Sequence, residues 1–465
     1  MLRRLSFAIA LATASMAGHA ETPVAGKTDL VSLYEDAVAN SSDLAAARAS
    51  ADARKEGVPQ ARAGLLPQLG AGANYNDVHT DFDKSTTSNT DRSSLVYQAN
   101  LTQPLFRADR WFQLQAAEAV SEQAGLEFSA TAQNLILQTA EGYFAVLQAE
   151  DNLAATTAEE AAFKRQLDQA RERFEVGLSD KTDVLEAQAG YDTARANRLN
   201  AANVVENALQ ALTRLTGKFY DQLVGMGHEL PVKPPVPNDA KQWVDTALAQ
   251  NLNLRASNFG VDAAGENLRQ QKSGHLPTLD AVASYSQGDN DGFGLNSGIA
   301  GSATAQTSVG LQLSVPLYTG GLTSSKVREA TYQLDQSEQS RESLRRQVVQ
   351  NTRDQHRAVN NDIEQIQARR QTIISNQSAV EANEIGYQVG TRNIVDVLNA
   401  QRALYNSVRD YNNARYNYIL NNLRLKQTAG TLSPDDLQAL QQWLKRDYDA
   451  KKDFLPADLA EAGKL

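Results

Sequence analysis

Few residues in this chain could carry chemistry, and they are scattered. The 465 residues include no cysteine, which excludes disulfides, thiolate zinc sites and thiol nucleophiles. His79, His228, His275 and His356 stand at spacings no metal site uses. No Walker A loop, G-x-S-x-G elbow or H-E-x-x-H helix occurs. Asp289-Asn290-Asp291-Gly292 opens like a calcium loop but lacks the later bidentate Glu, and reads as an outer loop. Nothing gathers acid, base and nucleophile, so an enzyme is the least favoured reading and no cofactor is expected. What remains are charges close to glycine turns. Asp183 follows Val176-Gly177-Leu178, and Arg392 and Asp396 follow Val389-Gly390-Thr391. Gly177 and Gly390 are placed to end helices in the left-handed conformation. Asp396 falls one turn into the next helix, where the dipole favours an acid by about 0.3–1 kcal/mol.

The elements that must position these residues come in two copies. Gly64-Leu65-Leu66-Pro67-Gln68-Leu69 recurs as Gly274-His275-Leu276-Pro277-Thr278-Leu279, and Gln103-Pro104-Leu105-Phe106 as Val315-Pro316-Leu317-Tyr318. Phe174-Glu175-Val176-Gly177 recurs as Tyr387-Gln388-Val389-Gly390, and Asp183-Val184-Leu185 as Asp396-Val397-Leu398. The offset drifts only from 210 to 213, which argues for one structural unit used twice. Residues 21–230 form the first repeat and 239–432 the second, joined by a linker (231–238) holding Pro231, Pro234, Pro235 and Pro237. Residues 433–465 are left as a C-terminal helix and tail.

Each copy changes period. Leu69, Ala71, Ala73 and Tyr75 alternate with Gln68, Gly70, Gly72 and Asn74; Leu95, Tyr97, Ala99 and Leu101 alternate with polar residues. Leu279 to Tyr285 and Val309 to Val315 repeat this pattern. These are four strands of about ten residues, long enough to cross a bilayer at a tilt. Asn76–Ser94 and Gln287–Thr307 are expected to be long surface loops. The rest is helical. The interval between Gly321 and Gly386 holds neither Gly nor Pro, which predicts a helix of about 60 residues and about 90 Å. Its apolar stripe is narrow: Val327, Ala330, Leu334, Leu344, Val348, Val359, Ile363, Ile366, Ile373 and Val380. Such a stripe suits a coiled coil rather than a globular core.

Export is written at the N-terminus. Arg3 and Arg4, the apolar run Leu5 to Ala12 and the small residues up to Ala20 read as a signal peptide over residues 1–20, cut before Glu21. Its loss takes the net charge from −10 to −12, a poor balance for binding nucleic acid. No later stretch reaches 18 apolar residues, so a membrane crossing must be a closed β-barrel. Four strands cannot close one, because their unpaired edges would lie in lipid at several kcal/mol per group. Chains must therefore pool strands: two would supply eight and three would supply twelve, and only the larger leaves a lumen. The small, polar inner faces favour that lumen. Physics alone leaves the number open.

Gly386-Tyr387-Gln388-Val389-Gly390-Thr391-Arg392-Asn393-Ile394-Val395-Asp396-Val397-Leu398, with Ala414-Arg415-Tyr416-Asn417-Tyr418 after it, resembles the C-terminal half of the TolC family. The family plan covers roughly residues 28 to 445. The resemblance implies an α+β membrane protein: a homotrimer whose 12-stranded β-barrel, four strands per chain, continues into a 12-helix periplasmic α-barrel. It implies an outer-membrane location in a Gram-negative bacterium, contact with outer-membrane lipid, and partners in a periplasmic adaptor and an inner-membrane efflux pump or ABC transporter. Cargo would be drugs or, in type I secretion, proteins. An equatorial belt is expected from Thr28–Asn40, Lys218–Asn251 and Ser433–Leu444. Asp396 would form a ring at the periplasmic aperture; relatives carry a second aspartate where this chain has Asn399, which halves the ring charge. Tyr387 and Arg392 match residues that latch the aperture, with Thr182 and Asp183 as their partners. Val176, Gly177, Leu178, Val389, Gly390 and Thr391 match tips on which adaptors dock. Trp111 is expected at the membrane interface, with Trp243 and Trp443 in the belt. Two other readings stay open on the residues alone: a trimeric coiled-coil stalk or adhesin, which has no use for the strands, and a self-sufficient porin, which has no use for the helices.

Overall fold

A computed structural model describes residues 26–81, 90–290, 303–456 and 458–459. The leader and the Asp291-Gly292 half of the calcium-like tetrapeptide lie outside them. Three short helices open the chain: α1 (Leu30–Asn40), α2 (Ser42–Lys55) and α3 (Gly57–Ala63). Strands β1 (Gln68–Thr80) and β2 (Thr90–Phe106) follow, then the 68-residue α4 (Ala108–Glu175) and the 36-residue α5 (Lys181–Thr216). After β3 (Gly225–Met226) the order returns: α6 (Ala240–Gln250), α7 (Leu252–Ser273), β4 (Thr278–Asn290), β5 (Ala303–Ser314), the 67-residue α8 (Leu322–Gln388) and the 36-residue α9 (Ile394–Ala429). The chain ends through α10 (Pro434–Gln441), β6 (Leu444–Lys445) and α11 (Ala450–Asp453).

The main sheet runs β1-β2-β4-β5, antiparallel throughout. Its register keeps the alternation of every strand in phase. Leu69 lies opposite Leu101, Leu101 opposite Ala283, and Ala283 opposite Val309. The other face aligns Gly70, Asn100, Ser284 and Ser308, and the last two hydroxyls are 2.8 Å apart. A one-residue slip in any pair would mix the two faces. Among the described residues nothing packs over the apolar face: Leu69 is 76% exposed, Val309 82% and Leu311 70%. β1 and β5 are the outer strands. The strands span 12 to 17 residues, longer than the ten expected. The polar segments at the far end keep pairing, Asn76 with Ser94 and Asp77 with Ser93, so the connections are shorter than the composition predicts.

Below the sheet, α4 and α8 are each about 100 Å long at 1.5 Å per residue, beyond the 60-residue expectation. Gly125 and Gly142 lie inside α4 without breaking it. The sheet meets the helices through a two-bonded clamp: Arg107 Nε and Nη2 donate to the two Asp280 oxygens at 3.0 and 2.6 Å. On α8 the stripe residues Ala330, Val348, Val359, Ile366 and Ile373 are buried, as a narrow seam requires. No helix among the described residues is long and apolar enough to cross a membrane.

The larger core lies midway along the helices, where α1, β3 and the C-terminal segment wrap α4 and α9. Leu30, Leu33, Tyr143, Phe144, Leu212, Met226 and Tyr416 fill it. Thr28 bridges Leu223 in parallel, and β3 pairs with β6. Trp243 is buried there and its Nε1 donates to the Pro237 carbonyl at 2.7 Å. The stretch after Lys445, which the sequence leaves unassigned, packs into the same core through Phe454, Leu455 and Leu459, and its Tyr448 is buried too.

Candidate functional site at the hairpin tips

Helices α4 and α5, and α8 and α9, form two hairpins that turn at one end of the molecule. Gly177 (φ +77°) and Gly390 (φ +78°) are both left-handed, where a Cβ would strain the backbone. In the first tip Leu178 N–H donates to the Arg173 carbonyl at 2.8 Å; in the second, Thr391 and Arg392 N–H donate to the Gly386 carbonyl at 2.8 and 3.1 Å. These bonds satisfy carbonyls that helix ends leave open. Val176, Leu178 and Val389 are each close to 70% exposed, so both tips present apolar side chains to solvent.

Asn393 caps α9. Its Oδ1 accepts from Asp396 N–H at 2.9 Å, and Asp396 Oδ2 accepts from Asn393 N–H at 3.4 Å, a capping box. Asp396 is thus held by local geometry as well as placed near the tip. Arg392 Nη1 lies 3.9 Å from Asp396 Oδ2 with both side chains exposed, a contact worth at most about 1 kcal/mol. Among the described residues Asp396 is the carboxylate within ion-pair range of Arg392. Asn399 is exposed and accepts from Arg402 Nη1 at 3.2 Å. Thr182 is exposed and Asp183 half-buried in the first turn of α5. Tyr387 is buried, and its hydroxyl lies near the Asp183 carboxylate. Burial, and then the nearby Asp183 carboxylate, raise its pKa. The structure thus brings Tyr387 towards Asp183 and Arg392 to Asp396.

Four contacts between the hairpins carry no signal in the sequence. Arg173 of α4 stacks on the Tyr387 ring, 4.8 Å from its centroid. Glu384 Oε1 accepts from Gln166 at 3.4 Å, and within its own hairpin also from Gln401 at 3.0 Å. Arg402 lies over the Phe163 ring. Higher up, Arg409 Nη1 pairs with the fully buried Glu159 at 2.7 Å. A small apolar cluster of Phe163, Leu167, Ala170, Tyr387, Val397 and Leu398 packs behind the tips, separate from the belt core. Gly190 admits it, since a Cβ there would stand 2.8 Å from Phe163 Cδ1.

The belt holds a second polar cluster. Asp151 is fully buried and accepts from Tyr448 Oη at 2.6 Å and Tyr416 Oη at 2.7 Å. Burial raises its pKa to about 6 against the pull of those two bonds, and that of neighbouring Glu150 to about 7. His228 Nε2 lies 2.7 Å from the Asp453 carbonyl, and burial with the Arg415 charge lowers its pKa to about 3.

The model of the outer membrane efflux protein family matches residues 33–218 and 243–431. The chain belongs to that family. Outer membrane protein TolC of Escherichia coli (strain K12) is 39% identical over 90% of this chain and 85% of its own length. The alkaline protease secretion protein AprF of Pseudomonas aeruginosa is 28% identical over 87% of this chain and 85% of its own. A solved structure of CusC superposes with a TM-score of 0.76 at 17% identity, covering 88% of this chain and 95% of that one, and so shares the fold. This outer membrane efflux protein is therefore an outer-membrane channel of the efflux and type I secretion class, with a helical extension into the periplasm. Its uncovered apolar sheet is at odds with a soluble coiled-coil stalk.

Proposed function

We propose that three copies of the chain join edge to edge into one passive duct, a 12-stranded barrel continued by a 12-helix tunnel, which receives cargo from an inner-membrane transporter through a periplasmic adaptor. The observation that carries this is the uncovered sheet. Its strands alternate in direction, so outer strands β1 and β5 run oppositely. A rotated copy can therefore lay its β1 beside β5 and continue the antiparallel pattern until the ring closes. Closure removes the edges that lipid does not tolerate. Two copies would give eight strands and a filled interior, whereas twelve leave a bore. The matching helix lengths and the two family matches support reading the chain as a duplicated unit.

In this reading the tips form the aperture. Three copies of Asp396 ring the axis and favour cations, with Asn399 contributing polarity without charge. Arg392, Tyr387, Thr182 and Asp183 hold neighbouring hairpins together; Arg suits the task because its planar fork bridges a carboxylate and a hydroxyl. The exposed Val176-Gly177-Leu178 and Val389-Gly390-Thr391 tips are where an adaptor docks. Drugs and small molecules, and proteins such as the secreted protease for which AprF is named, are the cargo classes. A weak latch suits a gate that a docking partner must open. Arg392→Ser is expected to raise single-channel conductance in a planar bilayer while the protein stays trimeric by mass in mild detergent. A monomer in detergent would overturn the assembly; wild-type conductance in the variant would overturn the latch.

A further inference from the structure

Arg173 has none of the roles assigned above, yet it joins the two tips. Its carbonyl accepts the Leu178 N–H that closes the first turn. Its guanidinium leaves that hairpin and lies over the Tyr387 ring, 4.8 Å from the centroid. Tyr387 in turn offers its carbonyl to the Gly390 N–H at 3.2 Å, inside the second turn. One cation–ring contact therefore connects the residue that closes each tip. Arg173 Nε is buried without a hydrogen-bond partner, and the Tyr387 hydroxyl interacts with Asp183 rather than with Arg173, so the ring face carries what attraction the pair has. Guanidinium is weakly hydrated and planar, which suits it to a half-buried aromatic face better than an ammonium. Asp183 is the acid facing Tyr387 from α5. Phe174, not Tyr387, holds the corresponding place in the first copy, and Gly386 holds that of Arg173 in the second. The contact thus exists once per chain and has no counterpart across the duplication.

We propose that Arg173 is a positioning residue of the aperture: stacked on the Tyr387 ring, it locks the first tip to the second, so that displacing the first turn releases Tyr387. This rests on the reading of the tips as the gate. It makes the first hairpin a lever on the second, because the backbone that a docking partner would push carries the same residue that holds Tyr387.

The test uses the full-length assembled protein in planar bilayers, with circular dichroism melting as a control. Arg173→Met should raise the open-to-closed ratio by about 2- to 5-fold, the range of a partly exposed cation–π contact. Tyr387→Leu should open at least as far, and Tyr387→Phe, which keeps the ring but loses the hydroxyl that faces Asp183, should open less than Tyr387→Leu. The double variant Arg173→Met/Tyr387→Leu should open no further than Tyr387→Leu alone, since both remove one contact. Arg173→Lys should recover part of the closure. The melting midpoint, set by the belt core, should not move in any of them. Wild-type behaviour of Arg173→Met alongside a leaky Arg392→Ser would overturn the proposal and leave the gate standing. If Arg392→Ser is silent too, the gate reading falls and takes the proposal with it. Multiplying effects in the double variant, or a Tyr387→Phe as open as Tyr387→Leu, would assign closure to other contacts.

Discussion

Asp151 and Glu150 are adjacent acids in the belt, the first fully buried and the second half-buried, and their environment sets a pH dependence with a definite sign. Both are held above their ordinary values of 3.8 and 4.5, at about 6 and about 7, chiefly by burial. The folded chain therefore keeps protons the unfolded chain has lost, and their contribution to stability falls as pH rises through about 4 to 7. His228 acts oppositely. Its pKa is lowered from 6.5 to about 3, so the unfolded chain takes up a proton the folded one refuses, and stability is lost as pH falls below 6.5. The two effects squeeze the belt from both sides. Asp151→Asn isolates the first. The amide keeps one acceptor for the two tyrosine hydroxyls and loses the other, so the variant should melt lower than wild type at every pH. The gap should narrow as pH rises from 4 to 7, because only wild type then carries the charge. A gap of constant size, read from thermal midpoints, would remove Asp151 as the titrating group.

Helix ends decide how the tips are built. The last turn of α8 packs against the first residues before α9 so closely that a Cβ on Gly386 would stand 2.7 Å from Arg392 Cγ. Gly386→Ala should push Arg392 out of its place in the proposed latch and raise channel conductance, although it alters no charged residue. The melting midpoint should hold, because the belt lies far up the helices; conductance equal to wild type would show that Arg392 adapts without loss. This close approach is illegible in the sequence, where Gly386 reads as one more residue before a Val-Gly turn. The turn itself was legible: Gly177 and Gly390 follow from glycine's freedom at positive φ, and the strands follow from a period of two. Strand length was not. The cross-strand partners of polar residues such as Asn76 and Asp77 cannot be known before the register is. The long helices were legible from missing Gly and Pro in the second copy, but Gly125 and Gly142 show that a packed helix absorbs glycines costing about 1 kcal/mol each. Arg173, Gln166 and Glu159 were invisible for a different reason: they are ordinary polar residues on a helix until a second hairpin is laid against them.

Across the whole molecule the packing is uneven, and the unevenness matches the work. The tips are tied by a small apolar cluster, exposed charges and a stacked arginine. The belt is tied by the main core and by the tail, which crosses from one half of the chain to the other. Lys27 Nζ donates to the Tyr448 carbonyl at 2.6 Å, Asn412 to that of Phe454 at 2.8 Å, and Gln377 to that of Leu459 at 2.7 Å. Those partners come from the N-terminal segment, α9 and α8, so the tail holds the elements that the linker and the tips leave free to part. Gly225 lets the tail approach, since a Cβ there would meet Tyr448 Cβ at 2.8 Å. On the proposed reading of the tips as the gate, a girdle of this kind lets them separate while the helices above stay together. Ending the chain after Lys445 should therefore lower the melting midpoint strongly. It exposes the seats of Tyr448, Phe454, Leu455 and Leu459, each worth about 1.5–3 kcal/mol when buried, and leaves Asp151 with one tyrosine in place of two. The truncated protein, where it assembles, should still respond to Arg392→Ser with the same rise in conductance, because the tips keep every contact they had. A truncation that melts like wild type would show that the tail lies on the belt without holding it; one that opens the channel unaided would place the restraint on the aperture in the belt rather than at the tips.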